Sequence, residues 1–176
     1  MVAFSPETLS TAQRLIRRYP EGRQKSALIP ILHLAQAEFG GWLSPETMDY
    51  VAELLGIKSI EVYEVASFYS MFNLTPTGTC VLEVCRTAPC WLKGSDDLVA
   101  HFEKRLGIKE GETTADGMFT LKTVECLGSC GTAPMLQCGH RYHENLTPEK
   151  ADALLQELRQ TGSRPVYVTP DFFRES

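Results

Sequence analysis

TCVLEVCR, from Thr79 to Arg86, is the stretch that decides the architecture. From Gly78 onward the spacing of apolar residues drops from the helical 3.6 toward 2, and these eight residues read as a buried strand. Downstream, Ser95 to Leu106 puts Leu98, Val99, Phe102 and Leu106 on one side of a helix, with Gly107 just past its end. Met118 to Glu125 alternates Phe119, Leu121 and Thr123 against Thr120, Lys122 and Val124, as a strand does. Pro134 to Cys138 and Arg141 to Glu144 then form a predicted hairpin around Gly139-His140, and Thr147-Pro148-Glu149 starts a last helix running to about Gln160. Strand, helix, strand, strand, strand, helix is the order of this half.

Upstream of Gly78 the chain reads as four short helices. The tetrapeptide Ser-Pro-Glu-Thr occurs at Ser5 and again at Ser44. It is a legible helix start, because Ser accepts from free amides, Pro suits the first helical position and Glu complements the positive end. Leu9, Ala12, Leu15, Ile16 and Tyr19 form the first apolar stripe. Ala27, Leu28, Ile31, Leu32, Ala35 and Phe39 form a second, in which Pro30 predicts either a kink or a late start. Met48, Val51, Ala52, Leu54 and Leu55 form a third, stopped by Gly56. Ser59 is the expected cap of a fourth, with Ile60, Val62, Val65, Ala66 and Tyr69 facing inward. Short helices with short joins predict a small bundle, and the element order of the second half predicts a thioredoxin-like sandwich. The expected divisions are 1–77, 78–160 and a tail, 161–176, that either extends along a partner or is loose.

Composition narrows the function. The chain has 176 residues, 43% of them hydrophobic, and a formal net charge of -5 with Lys and Arg scattered. That is no electrostatic footprint for a nucleic acid or an anionic membrane surface. No apolar run approaches the roughly 20 residues that cross a bilayer, and MVAFSPETLS has neither a basic nor an apolar leader segment. Neither nucleic-acid binding nor direct membrane insertion is expected, and no G-x-G-x-x-G or Walker loop offers a nucleotide or flavin site.

Six cysteines without a secretory leader point to metal ligands, redox thiols or small buried residues rather than a disulfide framework. Cys85 and Cys90 form C-x4-C after the first strand, and Cys126 and Cys130 form C-x3-C after the second. If the two strands are parallel, both loops leave the same edge of the sheet and the pairs converge. Loops suit iron–sulfur chemistry because they can turn backbone N–H groups toward sulfur. Zinc also takes four thiolates but favours C-x2-C knuckles, and the absence of C-x-x-C weakens a thioredoxin-type dithiol. A zinc-bearing structural module and a redox thiol protein therefore remain alternatives at this point. Cys80 and Cys138 read as small core residues; Cys138 with His140 and His143 is a weak metal candidate, because a hairpin alternates its side chains. His33 and His101 fall on helices, as core-edge or surface residues. No catalytic residue is nominated.

Val84-Cys85-Arg86-Thr87-Ala88-Pro89-Cys90, Gly111-Glu112-Thr113-Thr114, Val124-Glu125-Cys126-Leu127-Gly128-Ser129-Cys130, Ala133-Pro134-Met135 and Val65-Ala66-Ser67-Phe68-Tyr69 together resemble the NuoE family, from about Arg14 to Leu158. This is the small ferredoxin subunit of respiratory complex I, NADH:quinone oxidoreductase. The resemblance implies an α+β fold, a small N-terminal helical bundle followed by a thioredoxin-like [2Fe-2S] ferredoxin domain. It implies one cluster held by Cys85, Cys90, Cys126 and Cys130, and electron exchange with FMN, the FMN and NADH sites lying in a partner subunit only. It further implies other peripheral-arm subunits as neighbours and a peripheral place on the cytoplasmic side of a bacterial inner membrane, or the matrix side in a mitochondrion. Equivalent subunits of NAD-linked hydrogenases and formate dehydrogenases are the alternative. Around such a cluster Glu125 is expected to disfavour reduction and Arg86 to favour it, so that Arg86→Ala lowers the potential. The helical bundle reads equally as a docking face and as a structural cap.

Overall fold

A computed structural model describes residues 2–161; the expected tail lies outside the described residues except for Thr161. The chain divides into two compact units, one ending at Pro76 and one beginning at Thr77.

The first unit contains α1 (Pro6–Ile16), α2 (Leu28–Glu38), α3 (Pro45–Leu55) and α4 (Ser59–Phe68), with a 3-10 turn at Gln24–Ala27 leading into α2. Both Ser-Pro-Glu-Thr starts form as expected, Ser5 Oγ accepting from Thr8 N at 3.3 Å and Ser44 Oγ from Thr47 N at 3.1 Å. Pro30 falls in the first turn of α2, where no intrahelical donor is lost, so the late start replaces the kink. Gly56 ends α3 in the left-handed conformation at φ 62°.

Two expectations for α4 are corrected. Its cap is Lys58, not Ser59, because Glu61 reaches back to accept from the Lys58 amide at 3.0 Å. Val62 and Ala66, four apart, set the buried stripe; Ile60 lies about 200° round the helix from Val62 and is 57% exposed. Tyr69 follows the end of the helix in extended backbone and is also exposed.

The core of this unit joins Leu15, Leu28, Ile31, Leu32, Val51, Leu55 and Val62, with Phe4 stacked on Phe39 at 5.5 Å. The buried Gln36 side chain accepts from Asn73 N at 2.7 Å and donates to Met71 O at 3.0 Å. Asn73 Nδ2 donates to Gly41 O at 3.0 Å, so the strip after α4 is tied to the end of α2.

The second unit is built on a four-stranded sheet in the order β2-β1-β3-β4. β1 (Cys80–Cys85) and β2 (Phe119–Val124) pair in parallel from Cys80↔Phe119 to Cys85↔Val124, while β3 (Leu136–Cys138) is antiparallel to β1 and β4 (Arg141–His143) is antiparallel to β3. The crossover between β1 and β2 carries α5 (Ala88–Leu92) and α6 (Ser95–Leu106), and α7 (Pro148–Thr161) closes the unit.

Every residue of β1 is buried. Cys80, Leu82 and Val84 point into the core against Phe119, Leu121, Leu136, Phe102 of α6 and Leu154, Leu155 and Leu158 of α7. Period two sends Val81, Glu83 and Cys85 to the other face. This is the expected α+β architecture. Cys80 and Cys138 sit in that core as expected, and their side chains are hydrogen-bonded to one another; that bond, with burial, raises the Cys138 thiol well above its ordinary range.

Candidate metal centre

The parallel pairing of β1 and β2 decides where the four cysteines go. Cys85 is the last residue of β1, opposite Val124, and Cys126 stands two residues beyond Val124. Both connections therefore leave the same end of the sheet.

Cys90 does not sit in a loop as expected, but in α5, a helix of five residues that opens on Thr87 with Pro89 in its first turn. Its buried side chain packs with Cys85 and Met135, and with the partly buried Leu127 and Ala133. Cys130 starts a 3-10 turn, Cys130–Thr132. The two halves differ in exposure: Cys85 and Cys90 are 3% and 2% exposed, whereas Cys126 and Cys130 are both exposed.

The thiols stand as two hydrogen-bonded pairs, Cys85 with Cys90 and Cys126 with Cys130, and Cys130 is near enough to Cys85 and Cys90 to interact with both by charge. None of the six cysteines is in a disulfide. Among the described residues no three His, Cys, Asp or Glu groups close on one point as they do round a single ion. Cys138, His140 and His143 accordingly form no such group.

Backbone donors meet the sulfurs. Burial pushes the Cys85 thiol up, but amides of Leu127 and Thr87, the Cys90 thiol and the Thr87 hydroxyl outweigh it and hold Cys85 below its ordinary value. Cys90 is pushed up to about 11 by burial and by Cys85, partly offset by the Met135 amide. Cys130 is raised by desolvation and by Cys126. Gly128 N donates to Cys126 Sγ at 3.4 Å. Four thiols in two pairs, each pair reached by inward-turned amides, fit the donor set of a [2Fe-2S] cluster, whose two irons each take two thiolates.

Charged neighbours complete the picture. Arg86 is half exposed and lies between Asp96, at 3.3 Å, and Glu110, at 3.4 Å. Thr87 Oγ1 donates to Glu125 at 3.5 Å. Glu83, on the same face of β1 as Cys85, is buried, and burial raises its carboxyl despite Lys122 beside it in the ladder. His101 bonds Asp152 at 2.9 Å and His33 packs on Phe72.

Sequence reasoning assigns no role to Met135, Tyr142 or Glu144, all of which touch the cysteine segments. Signals for them exist: Met135 sits in the Ala-Pro-Met motif, and the alternation of the hairpin places Tyr142 and Glu144 on one face.

The sequence profile of the thioredoxin-like [2Fe-2S] ferredoxins matches residues 12–159. An NADH-quinone oxidoreductase component from Rickettsia bellii is 46% identical over 157 residues, 89% of this chain and 94% of that protein. The chain belongs to the NuoE family. This NuoE-type chain is also 42% identical over 173 residues to the mitochondrial NADH dehydrogenase [ubiquinone] flavoprotein 2 of Dictyostelium discoideum, covering 98% of this chain and 69% of the other. The crystal structure of an NAD+-reducing [NiFe]-hydrogenase in the air-oxidised state shares its fold at a TM-score of 0.66 and 20% identity, over 84% of this chain. The NuoE-type chain spans about a quarter, 24%, of that hydrogenase chain. Among the described residues no helix is long and apolar enough to cross a membrane.

Proposed function

We propose that Cys85, Cys90, Cys126 and Cys130 hold one [2Fe-2S] cluster and that the chain is an electron-transfer subunit of NADH:quinone oxidoreductase. The observation that carries this reading is the gathering of two thiol pairs at one end of the β1/β2 pair, with amides of Leu127, Thr87, Met135 and Gly128 turned onto their sulfurs. Relatives at 42% and 46% identity carry complex I names, which supports that parent complex over a hydrogenase.

When bound, the cluster would supply one-electron redox chemistry. Cys85, Cys90, Cys126 and Cys130 would hold it, the buried packing of Cys85 and Cys90 with Met135 would keep water from that thiol pair, and backbone amides such as that of Met135 would donate to the thiolates. The electron donor is the FMN of an NADH-binding partner subunit. In this reading residues 78–160 bear the cluster, residues 1–77 are the helical unit, and the whole lies peripherally on the cytoplasmic side of the membrane beside other peripheral-arm subunits.

The test is ultraviolet-visible and electron paramagnetic resonance spectroscopy of the purified chain before and after dithionite, with iron, sulfide and zinc analysis. Bleaching visible bands and a spin-half signal at two irons per chain are expected, lost in Cys85→Ser and in Cys126→Ser. A colourless chain with one zinc overturns the cluster assignment. Failure to co-purify with the flavin subunit when the two are co-expressed overturns the partner.

A further inference from the structure

β4 is three residues long and lies at the edge of the sheet, and Arg141 and Tyr142 are exposed, so it contributes little to the core. Its side chains are engaged elsewhere. Tyr142 Oη donates to the carbonyl of Leu127 at 2.7 Å. Two residues on, Glu144 projects from the same face and accepts the hydroxyl hydrogens of Ser129 and Thr132, the latter at 2.6 Å. The backbone adds a third tie, from Asn145 N to Thr132 O at 2.7 Å.

Leu127, Ser129 and Thr132 bracket Cys130 and follow Cys126, the two exposed cysteines. That loop carries no fully buried side chain from Glu125 to Pro134, so packing alone does not hold it. The Ser129 and Thr132 hydroxyls also hold the Glu144 carboxyl below its ordinary range, so Glu144 carries a negative charge.

We infer that Tyr142 and Glu144 are positioning residues which clamp the Cys126–Cys130 loop in ligand-ready shape, and that Glu144 sets a fixed negative charge beside the cluster. The inference rests on the ligand assignment proposed above. It makes the outer strand of the sheet part of the metal centre.

The test uses the full chain with Tyr142→Phe, Glu144→Ala and Glu144→Gln. In the metal-free, reduced chain, amide exchange across 127–132 is expected to accelerate in Tyr142→Phe and Glu144→Ala. In the reconstituted chain, loss of the visible bands to a chelator is expected to be roughly fivefold faster in Tyr142→Phe, the ratio one ordinary hydrogen bond corresponds to, and faster still in Glu144→Ala, where a charged acceptor is lost. Glu144→Gln keeps an acceptor oxygen without the charge. It should retain the cluster better than Glu144→Ala, and its midpoint potential in a redox titration should rise above the parent's, which a merely structural support would not move. Parent-like exchange in both Tyr142→Phe and Glu144→Ala overturns the clamp, and a parent midpoint in Glu144→Gln overturns the charge. If the parent chain takes up no iron and sulfide, the ligand assignment fails, and the exchange measurement still decides the clamp.

Discussion

Met135 separates the packing of the candidate metal centre from its chemistry. Its side chain is 0% exposed and fills the small cluster that it forms with Cys85 and Cys90. Its backbone is tied to the same two residues, the carbonyl accepting from Cys85 N at 3.2 Å and the amide donating to the Cys90 sulfur. Met135→Ala removes everything beyond Cβ and leaves both backbone groups in place.

Truncating a fully buried Met to Ala costs about 2–5 kcal/mol, less where the neighbours can collapse into the gap. This cluster has only partly buried neighbours, Leu127 and Ala133, so the cost should fall near about 2 kcal/mol. With a urea slope of about 1–2 kcal/mol per molar, the unfolding midpoint drops by about 1–2 M.

Trp91, next to Cys90, reports this unit by fluorescence once Trp42 is replaced by Phe, in metal-free reduced protein. Met135→Leu, which nearly conserves volume, should cost under about 1.5 kcal/mol. Iron binding should still reach two per chain in both variants, since no ligand or sulfur-directed amide is lost. A midpoint within about 0.3 M of the parent at unchanged slope, a small fraction of the cavity cost, would refute the view that Met135 packs the inner half of the site.

Other perturbations probe the frame and its charges. A Cβ at Gly78 would meet the Phe119 carbonyl carbon at 2.9 Å and Met118 backbone at 3.0 Å, so Gly78→Ala must push β2 away and should cost about 1–3 kcal/mol by Trp91-monitored unfolding. His33 is held below its ordinary value by burial against Phe72, so the folded unit keeps it neutral while the unfolded chain protonates near pH 6.5. Below that pH the unfolded state binds more protons, and stability falls until the lower folded value is passed; His33→Phe should flatten its share of the slope in Trp42-monitored titrations. Arg86→Ala removes a cation and leaves Asp96 and Glu110 uncompensated, so the cluster potential should fall, and fall more at low ionic strength because these groups are half exposed. A salt-independent midpoint would mean that the three charges do not reach the cluster through solvent.

Local chemistry was what the sequence made legible. Ser5 and Ser44 announce α1 and α3 because a cap, a proline and an acid act within four residues, and Ser95 to Leu106 coincides with α6 because its glycine stop is adjacent. α5 is not legible in the same way because a five-residue helix has no period to read, although Thr87 and Pro89 are start signals. Hydrophobicity alone points Ile60 inward, and the 200° that separates it from Val62 puts it in solvent. The cysteine spacing, combined with a parallel strand pair, brings the two segments to one end of the sheet. The unequal exposure of the pairs, and the bonds from Tyr142 and Glu144, depend on where an edge strand docks, which no local pattern encodes.

That inequality links fold to function. Cys85 ends a strand with every residue buried, and Cys90 is packed against it, so this half of the candidate site should open together with the unit as a whole. Cys126 and Cys130 lie on a loop held by side-chain hydrogen bonds to an edge strand, so this half can open by itself at a fraction of that free energy. With the ligands proposed above, entry and loss of iron and sulfide would belong to the Cys126–Cys130 side. Substitutions in the core, such as Met135→Ala, should lower the stability of the unit with the rate of cluster loss following it, whereas substitutions in β4 should change that rate with little effect on global unfolding.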